Sequence, residues 1–368
     1  MNKLVPFRSV LIFGGAGFVG SNLAYRILKT TDAKVHIFDN LSRRGVHHNL
    51  KWLQGVAGNS DRLKVTIGDV RDAALVQRAV QVATEIYHFA AQVAVTTSIA
   101  DPVFDFEVNV RGTLNVLEAA RKSDRRPFLL FTSTNKVYGS MASQRLVAAA
   151  RRYSRAGDAG INELQPLDLH SPYGCSKGAA DQYVRDYART FDLPTVVFRM
   201  SCIAGPRQFG NEDQGWIAHF LYSALEDKPV TIYGDGRQVR DVLYVEDLVR
   251  AFETVRSRME KTSGEVYNIG GGIENSTSIL EIIELIDKVT GKKLHYEMER
   301  ARAGDQLFYV TDFEKLRRDT GWQPRVNVRQ TLENMYDWWK GNRELFPSVV
   351  LARPVVAARL QELPEVAS

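Results

Sequence analysis

Residues 10–20 read VLIFGGAGFVG, an apolar run that passes directly into glycines at positions 14, 17 and 20. A short apolar run bounded by glycine is typical of a buried strand, and the residues from Phe18 onward fit the start of a helix. Glycine allows the tight turn between them and lets the backbone approach a pyrophosphate at the helix N-terminus. The glycine spacing alone is a weak signal, but its place between a strand and a helix predicts a dinucleotide-binding site.

Short apolar runs recur along the first half of the chain and alternate with amphipathic segments. They predict strands at residues 10–13, 35–38, 63–67, 86–89, 128–131 and 196–198, and helical periodicity is clearest at 21–29, 110–121 and 177–190. Strands that alternate with helices are typical of βαβ units. We therefore expect an α/β fold with a Rossmann-like doubly wound parallel sheet.

After about Met200 the pattern becomes mixed, which predicts a smaller mixed C-terminal lobe that binds the substrate. We expect the Rossmann domain to cover residues 1–198 with part of 235–268 returning to it, the substrate lobe 199–345, and a tail 346–368. The segment from Met141 to Leu169 interrupts the alternation. We expect a long loop that partly covers the active site, and a plain surface excursion is the alternative.

The composition excludes several classes of protein. Hydrophobic residues make up 44% and charged residues 25% of the chain, as in soluble globular proteins. The net charge is +5, and the basic residues form no arm that would bind nucleic acid. This mild positive excess is consistent with binding of a small anionic substrate and equally with an ordinary solvated surface. Cys175 and Cys202 alone cannot form a disulfide framework or a zinc site, so we expect no metal. Without a membrane-spanning run or a signal peptide, we expect a cytoplasmic protein.

Asp39 ends the second predicted strand, where a carboxylate binds the ribose hydroxyls of the adenosine. A carboxylate there repels a 2′-phosphate and favours NAD, although Arg43 and Arg44 leave NADP open. The residues after the third strand (69–70) and the fourth (90–92) either contact the cofactor or form ordinary turns. The candidate cofactor-binding residues are Gly14, Gly17, Phe18, Val19, Asp39, Asn40, Ser42, Arg43, Asp69, Val70, Ala90, Ala91 and Gln92.

Residues 170–177 read HSPYGCSK, which places Tyr173 and Lys177 one turn apart on one face of a predicted helix. At about 4 Å and an effective dielectric near 20, an ammonium attracts a phenolate by roughly 4 kcal/mol. We therefore expect Lys177 to pull the pKa of Tyr173 from about 10 toward neutrality, so that the phenol serves as an acid or base. This spacing is often a coincidence, but here it follows a predicted strand that ends in the hydroxyls of residues 132–134.

With these residues the chain resembles the extended short-chain dehydrogenases/reductases from Leu11 to about Trp339. Within that superfamily it most resembles the CDP-paratose 2-epimerases, also called CDP-tyvelose epimerases. Long and specific blocks carry this resemblance, namely residues 38–43 (FDNLSR), 92–98 (QVAVTTS), 133–139 (STNKVYG), 170–183 and 213–216 (DQGW).

The resemblance implies a bound NAD that takes a hydride from C2 of a sugar and returns it to the opposite face. It implies that Tyr173 takes the proton of the C2 hydroxyl and that Lys177 holds the phenolate and the nicotinamide ribose. Tyr173 and Lys177 thus count among the cofactor-binding residues too. Thr134, with Ser133 nearby, hydrogen-bonds the reacting oxygen. The 2-keto sugar turns over in the pocket while its diphosphate stays anchored, and the cofactor need not leave.

Asn135 and Lys136 argue against a related reaction. In nucleotide-sugar 4,6-dehydratases an Asp-Glu pair follows the corresponding threonine and drives loss of water. Neither Asn135 nor Lys136 is a carboxylic acid, so dehydration is not expected. Epimerisation at C4 uses the same acid/base set and stays open.

The resemblance also implies arginines for the nucleotide diphosphate, because the arginine fork binds phosphate oxygens in pairs. Arg240 and Arg302 match the family segments, and Arg207 is a weaker candidate. Each arginine can equally be a surface side chain with a carboxylate partner. The expected substrate-binding residues are Thr97, Asn135, Arg207, Gln208, Gln214, Arg240 and Arg302. One departure is Met200, where such epimerases often carry a histidine, and this departure could shift the sugar preference toward CDP-glucose.

Two other functions stay open on the sequence alone. A nucleotide-sugar 4-epimerase, or an NAD-dependent oxidoreductase that releases its cofactor, would use the same residues. A dinucleotide-binding scaffold would need neither Tyr173 nor Lys177, and both are present. The resemblance further implies a homodimer or higher homo-oligomer that pairs through helices 110–121 and 177–190.

Overall fold

A parallel sheet lies at the centre of the protein, which we describe from a computed structural model. The structure describes residues 7–155, 157, 160–302 and 305–346, so the tail expected after Phe346 lies outside the described residues. The strands are β1 (Ser9–Phe13), β2 (Lys34–Asp39), β3 (Leu63–Ile67), β4 (Glu85–His88), β5 (Phe128–Thr134), β6 (Leu146–Ala148), β7 (Tyr153–Arg155), β8 (Thr195–Met200), β9 (Cys202–Ala204), β10 (Val230–Tyr233), β11 (Val239–Tyr244), β12 (Glu265–Ile269), β13 (Ser276–Ser278), β14 (Tyr296–Glu299) and β15 (Phe308–Tyr309).

Helices cover both faces of this sheet and build much of the second lobe. They are α1 (Phe18–Thr30), α2 (Val46–Ala57), α3 (Ala73–Val80), α4 (Val95–Ala100), α5 (Pro102–Phe106), α6 (Gly112–Arg121), α7 (Ser171–Phe191), α8 (Trp216–Leu225), α9 (Val245–Ser257), α10 (Met259–Thr262), α11 (Ile279–Thr290), α12 (Glu314–Thr320) and α13 (Val328–Lys340). A π-helical turn at Glu107–Arg111 joins α5 to α6, and 3₁₀ turns lie at Asn135–Tyr138, Ile273–Asn275 and Arg343–Leu345.

The central sheet has seven parallel strands in the order β3-β2-β1-β4-β5-β8-β12. All six predicted strands belong to it, and β12 is an additional strand at the edge beside β8. The order in which the chain adds strands reverses between β1 and β4, since β2 and β3 lie on one side of β1 and β4 lies on the other. Doubly wound sheets bind ligands at the carboxyl ends of their strands beside such a reversal. The predicted Rossmann-like α/β fold is therefore confirmed, and its topology places a crevice after Phe13 and His88.

Both faces of the sheet are buried, which explains why its strands are continuous apolar runs. Because side chains alternate along a strand, Val10 and Ile12 pack into one core and Leu11 and Phe13 into the other. The first core lies under α1, α2 and α9, and the second under α3, α6 and α7. The two cores hold the strand ends of the crevice in fixed positions.

The second lobe has its own core, formed by α8, α11 and α13 around residues such as Leu221, Ile282 and Met335. Strand β11 pairs with β13, β15 and β9, and β10 pairs with β14. Because β9 follows β8 directly, this lobe starts at the carboxyl edge of the central sheet. Within the described residues no helix is both long and apolar enough to cross a membrane.

The segment from Met141 to Leu169 contains a hairpin of β6 and β7 that the sequence did not predict. Leu146 and Tyr153 of the hairpin pack against a small core of the second lobe that includes Val239. Tyr153 also donates its hydroxyl hydrogen to Asp235 over 2.7 Å. The hairpin of this segment is therefore bound to the second lobe by packing and by a hydrogen bond.

Candidate active site

The glycine loop after β1 is a backbone cradle that a side chain would fill. A Cβ at Gly14 would lie 2.7 Å from the backbone nitrogen of Ala90, and the φ of Gly14 is +74°. Helix α1 begins at Phe18, and its N-cap Gly17 has no side chain to cap the first turn. The N–H groups of Phe18 and Val19 are therefore in position for a phosphate, and the loop fits a dinucleotide pyrophosphate.

Asp39 stands beside this loop at the end of β2. One carboxylate oxygen accepts a hydrogen bond from the Ala16 nitrogen over 3.0 Å, and the other accepts one from the Leu41 nitrogen over 2.9 Å. Burial raises the pKa of Asp39, and these backbone hydrogen bonds oppose the rise. The carboxylate is thus fixed at the edge of the cradle, where a ribose would lie.

The neighbouring residues join β2 to β3. Asn40 donates to Asp69 over 3.0 Å and accepts from the Ser42 nitrogen. Arg71 binds the same Asp69 carboxylate through two side-chain nitrogens and lowers the pKa of Asp69 to about 2. The Val70 side chain lies in the core and is 5% exposed, and the contact of this residue with a cofactor stays a prediction. An apolar side chain at a strand end gains more from that burial than from the polar crevice.

Ala90 and Ala91 line the crevice after β4, where both are half-buried. Gln92, which we predicted beside the cofactor, is buried and its polar groups are used inside the protein. Its backbone nitrogen donates to Asn109 over 2.9 Å and its side-chain nitrogen donates to Asp105 over 2.7 Å. The small alanines therefore leave space along the crevice, whereas the Gln92 side chain organises a buried network.

Tyr173 and Lys177 lie on the first two turns of α7, which begins at Ser171. The Tyr173 N–H lies in the first turn and donates to the Ser98 hydroxyl over 3.1 Å, which fixes α7 to α4. The Tyr173 phenol lies near the Thr134 hydroxyl, which lowers the pKa of the phenol against its burial. Lys177 reaches behind it to donate to the Thr132 carbonyl oxygen over 2.7 Å. Helix α7 and the end of β5 thus bring together the tyrosine, the lysine and the threonine predicted to act on the substrate.

The expectation that Lys177 lowers the pKa of Tyr173 is wrong for this geometry. Burial raises the pKa of Tyr173 to about 12, although the Thr134 hydroxyl and the charge of Arg43 lower it. Burial likewise lowers the pKa of Lys177 to about 7. A dry pocket disfavours both charged forms, and the ammonium bonds a backbone carbonyl rather than the phenol. The spacing of the two residues carries no information about this cost of desolvation.

The end of β5 orients the groups around the phenol. The Thr134 oxygen accepts from the Lys136 nitrogen over 3.2 Å and so caps the 3₁₀ turn that follows. Asn135 bonds Gln306 over 3.2 Å, which ties the turn to the second lobe. The Ser133 hydroxyl is buried and has no hydrogen-bond partner among the described residues.

Lys136 and Arg240 share a single carboxylate. Lys136 lies 3.3 Å from Asp305 and Arg240 lies 3.0 Å from the same oxygen. Burial lowers the pKa of Lys136, and the nearby charge of Arg240 lowers it further. Two cations with one anion leave an excess positive charge two residues from Thr134, which suits an anionic or hydroxyl-rich ligand.

Arg302, also in the second lobe, has a different set of partners from Arg240. It bonds Glu212 over 3.0 Å and stacks 3.8 Å from the Tyr233 ring centroid. Its other nitrogen lies 3.7 Å from Asp213, and Asp213 in turn accepts from Thr96 over 2.9 Å. The loop that carries Gln214 is therefore joined to α4, which carries Thr97, although Gln214 itself is exposed.

Arg43 follows Asp39 in the loop after β2, and it is exposed to solvent. Partial loss of hydration lowers the pKa of Arg43, and the charges of Tyr173, Asp213 and Asp39 raise it.

Arg207 and Gln208 do not join this group. The Arg207 guanidinium lies 3.5 Å from the Trp52 ring centroid and 5.7 Å from that of Trp338. Gln208 donates to the Ile203 carbonyl over 3.0 Å. The substrate contact expected of these two side chains stays a prediction, and the Arg207 guanidinium packs between the two indoles.

Several residues of the site were missed. Lys136 and Asp305 belong to the charged group that also contains Arg240. Ser98, Asp105 and Asn109 support α7. Asp105 and Asn109 are four residues apart in a helical segment, a spacing that places them on one face and is a usable signal for a polar pair. The π-helical turn that brings them together leaves no such mark in the sequence.

Comparisons with known proteins agree with this geometry. Residues 11–335 match the family described as GDP-mannose 4,6 dehydratase. The chain is also 43% identical over 337 residues to a protein named CDP-paratose 2-epimerase from Salmonella typhi, and the match covers 89% of this chain and 98% of that protein. The predicted membership of the extended short-chain dehydrogenases/reductases is confirmed.

Two solved structures have the same fold. UDP-glucuronic acid 4-epimerase from Bacillus cereus, in complex with UDP-glucuronic acid and NAD, matches with a TM-score of 0.78 and 28% identity over 91% of this chain and 99% of that chain. UDP-glucose 4-epimerase from Thermus thermophilus, in complex with NAD, matches with a TM-score of 0.74 and 31% identity over 90% and 99%. Both contain NAD, which confirms the prediction of an NAD-dependent family. The chain belongs to the GDP-mannose 4,6 dehydratase family of extended short-chain dehydrogenases/reductases.

Proposed function

We propose that the protein is an NAD-dependent epimerase that inverts C2 of a CDP-linked hexose through a transient 2-keto sugar. The observation that carries the proposal is the buried contact between Tyr173 and Thr134, with Lys177 behind them. Asn135 and Lys136 stand at the two positions where a dehydratase needs carboxylic acids. The 43% identity to a protein of that name supports the position of the reaction on the sugar.

The crevice fits NAD in two respects. The first turn of α1 and the glycine loop would hold the pyrophosphate, and Asp39 would hold the adenosine ribose. When bound, NAD supplies a hydride acceptor that returns the same hydride, and its oxidised ring adds a positive charge that favours a phenolate.

The chain's own residues move the proton. Tyr173, as the phenolate, accepts the proton of the sugar hydroxyl while C2 becomes a carbonyl, and it returns that proton when C2 is reduced. Thr134 donates a hydrogen bond to the reacting oxygen and keeps it within reach of the phenol. Lys177, whose ammonium bonds the Thr132 carbonyl behind Tyr173, would hold the nicotinamide ribose and so keep the phenol, the sugar and the cofactor in line for proton transfer.

The second lobe anchors the substrate while the keto sugar turns. In this proposal Arg240 and Arg302 are the forks for the diphosphate, and Lys136, which shares the Asp305 carboxylate with Arg240, binds an oxygen of the sugar or the adjacent phosphate. Asn135 and Lys136 cannot act as carboxylic acids, so the sugar keeps its oxygen atoms. The diphosphate stays bound during the turn because its anchors belong to a different lobe from the phenol.

A nucleotide-sugar 4-epimerase is the second candidate. Proton transfer by Tyr173 and Thr134 serves C4 as well as C2, and both solved structures compared above are named 4-epimerases. The carbon that meets the phenol depends on how the sugar is held, which the residues of the acid/base set do not determine.

Proton NMR of the purified protein with CDP-glucose or CDP-paratose in D2O, without added cofactor, separates these functions. We expect inversion at C2 with the C2 hydrogen retained, since the hydride never meets solvent. Deuterium at C2 would mean proton abstraction beside a ketone and would overturn the mechanism. Inversion at C4, loss of water or release of NADH would overturn the assignment, and Tyr173→Phe protein is the control for contaminating activity.

The expected homo-oligomer stays a prediction. Tyr183 and Phe191 of α7 are 45% and 40% exposed, and Val103 of α5 is 71% exposed. Apolar side chains on these neighbouring helices are consistent with pairing of two copies through that face.

A further inference from the structure

Asp105, at the end of α5, is a buried carboxylate that the proposed reaction does not use. Its side chain is 0% exposed. One oxygen accepts hydrogen bonds from the Gln92 side chain over 2.7 Å and from the Asn109 side chain over 3.1 Å. The other oxygen is buried and has no hydrogen-bond partner among the described residues. A carboxylate in such a place costs stability, so its presence calls for a role.

The network around Asp105 leads to the catalytic turn of α7. Asn109, in the π-helical turn, donates to the Ser176 hydroxyl over 3.0 Å as well as to Asp105. Ser176 lies directly before Lys177 and donates to the Tyr173 carbonyl over 3.2 Å. Asp105 therefore holds, through Asn109 and Ser176, the backbone turn between the two reacting side chains. π-helical turns are frequent at functional sites, where they re-aim side chains of a helix.

The charges around this turn are few, and Asp105 is the anion without a cationic partner. Asp181 is paired with Arg199 over 2.8 Å, and burial and Lys177 lower the pKa of His88 to about 3, so His88 is neutral. Arg43 approaches Tyr173 from the cofactor side. Among the described residues Asp105 forms no ion pair. Against the burial of Lys177, the charge of Asp181 and then that of Asp105 favour its ammonium, and the charge of Asp105 opposes the Tyr173 phenolate.

We propose that Asp105 is a positioning residue for the catalytic pair, which aligns the turn between Tyr173 and Lys177 and stabilises the Lys177 ammonium by its charge. This inference deepens the proposed function, because an ammonium behind Tyr173 is what the proton transfer needs. Without the anion, the dry pocket releases the proton of Lys177 at lower pH.

Asp105→Asn tests the charge with little change of shape. The new amide keeps an oxygen that accepts from Gln92 and Asn109, and only the negative charge is lost. We would label the lysine side chains with ¹³C, assign the Lys177 signal by its absence in Lys177→Met, and follow its titration by NMR. We expect the Lys177 midpoint to fall by about one pH unit in Asp105→Asn. An unchanged midpoint would overturn the proposal.

Asp101→Asn is the matched control on the same helix. Asp101 is exposed and accepts from the Phe104 nitrogen over 2.9 Å as the N-cap of α5. Loss of the Asp101 charge should weaken the N-terminal end of α5 and leave the titration midpoint of Lys177 unchanged. An equal shift in Asp101→Asn would mean general loosening of α5 and would overturn the assignment to Asp105. If Asp105→Asn does not fold, Asp105→Ser keeps an acceptor in a smaller side chain and has the same expected shift.

The titration is independent of the substrate, so the two proposals can fail separately. If the midpoint shifts but no sugar is epimerised, the role of Asp105 stands and the proposed function falls. Where C2 inversion occurs, we expect the alkaline fall of kcat in Asp105→Asn to move to lower pH by the same amount. A purely structural role would reduce kcat at every pH and leave the profile in place.

Discussion

The side-chain nitrogen of Lys177 lies 2.7 Å from the carbonyl oxygen of Thr132, two residues before Thr134 on the same strand. It also lies 4.1 Å from the centroid of the Phe131 ring. Burial lowers the pKa of Lys177 to about 7, far below its ordinary value of 10.5. A backbone carbonyl and an aromatic face thus hold a cation where water is excluded, and this arrangement reduces the stability of the fold.

Lys177→Met should therefore stabilise the protein while it removes activity. Between pH 7 and 10.5 the unfolded chain holds a proton on Lys177 that the folded chain lacks, so stability rises with pH in that window. The burial penalty is fully present below about pH 7 and absent above about pH 10.5. We expect Lys177→Met to gain about 3 kcal/mol at pH 6 and little near pH 10.5, measured by urea unfolding of the cofactor-free protein. A gain that does not vary with pH would contradict the assignment.

Tyr173→Phe should keep the fold and the cofactor but lose turnover. Phenylalanine preserves the buried ring and removes the group that moves the proton, a loss of roughly 10²–10⁴-fold or more in kcat. The measurement is epimerisation of the sugar that the wild-type protein accepts, with NAD content and thermal unfolding as controls. Normal turnover with intact folding would eliminate Tyr173 as the acid/base group.

The fold was predictable because the strands of the central sheet are apolar on both faces. Runs such as 10–13 and 128–131 have no polar position to confuse their assignment, and turn residues bound them. The hairpin of β6 and β7 was not predictable, because its short strands lie in an Ala- and Arg-rich segment and are stabilised by contacts with Val239 and Asp235 far along the chain. Local propensity carries no information about such partners.

The site was predictable where a helix or strand fixes the geometry. The spacing of Tyr173 and Lys177 along α7 places them side by side, and β5 brings Thr134 to them. The protonation behaviour was not predictable, because it depends on exclusion of water and on Asp105, which reaches the pair through a π-helical turn. The contacts of Arg207 with Trp52 and Trp338 were not predictable for a similar reason, since both tryptophans lie far from it in sequence.

Asp39→Ala should weaken NAD binding and reduce discrimination against NADP. The carboxylate that faces the ribose is fixed by two backbone N–H groups, and without it a 2′-phosphate meets no negative charge and has Arg43 nearby. Calorimetry with the two dinucleotides measures both effects. Asp61→Ala is the control, because that exposed carboxylate pairs with Lys34 at the start of β2. Equal losses in the two variants would remove the specific role of Asp39.

Arg207→Ala and Arg240→Ala should separate packing from substrate binding. Arg207 stacks between two indoles, so its loss should lower the free energy of unfolding by about 1 kcal/mol and leave KM unchanged. Arg240 lies with Lys136 on the carboxylate of Asp305, so its loss should raise KM. Steady-state kinetics and urea unfolding of both variants test this division. A raised KM in Arg207→Ala would return that residue to the substrate site.

Lys136→Met should weaken substrate binding without changing the acid/base chemistry. Lys136 shares Asp305 with Arg240, and its removal leaves one cation for one anion, so the excess positive charge that would meet the substrate disappears. A hydrogen bond to a charged group contributes about 1.5–3 kcal/mol, which corresponds to a rise of roughly 10–100-fold in KM.

The pH dependence of kcat in Lys136→Met should match the wild type, because Tyr173 and Lys177 keep their surroundings. Lys315→Met is the control, since that lysine pairs with Glu265 at the edge strand β12 and its loss should leave KM unchanged. A fall in kcat with unchanged KM would mean that Lys136 acts on the reacting oxygen itself, and the division of labour between the two lobes would then be wrong.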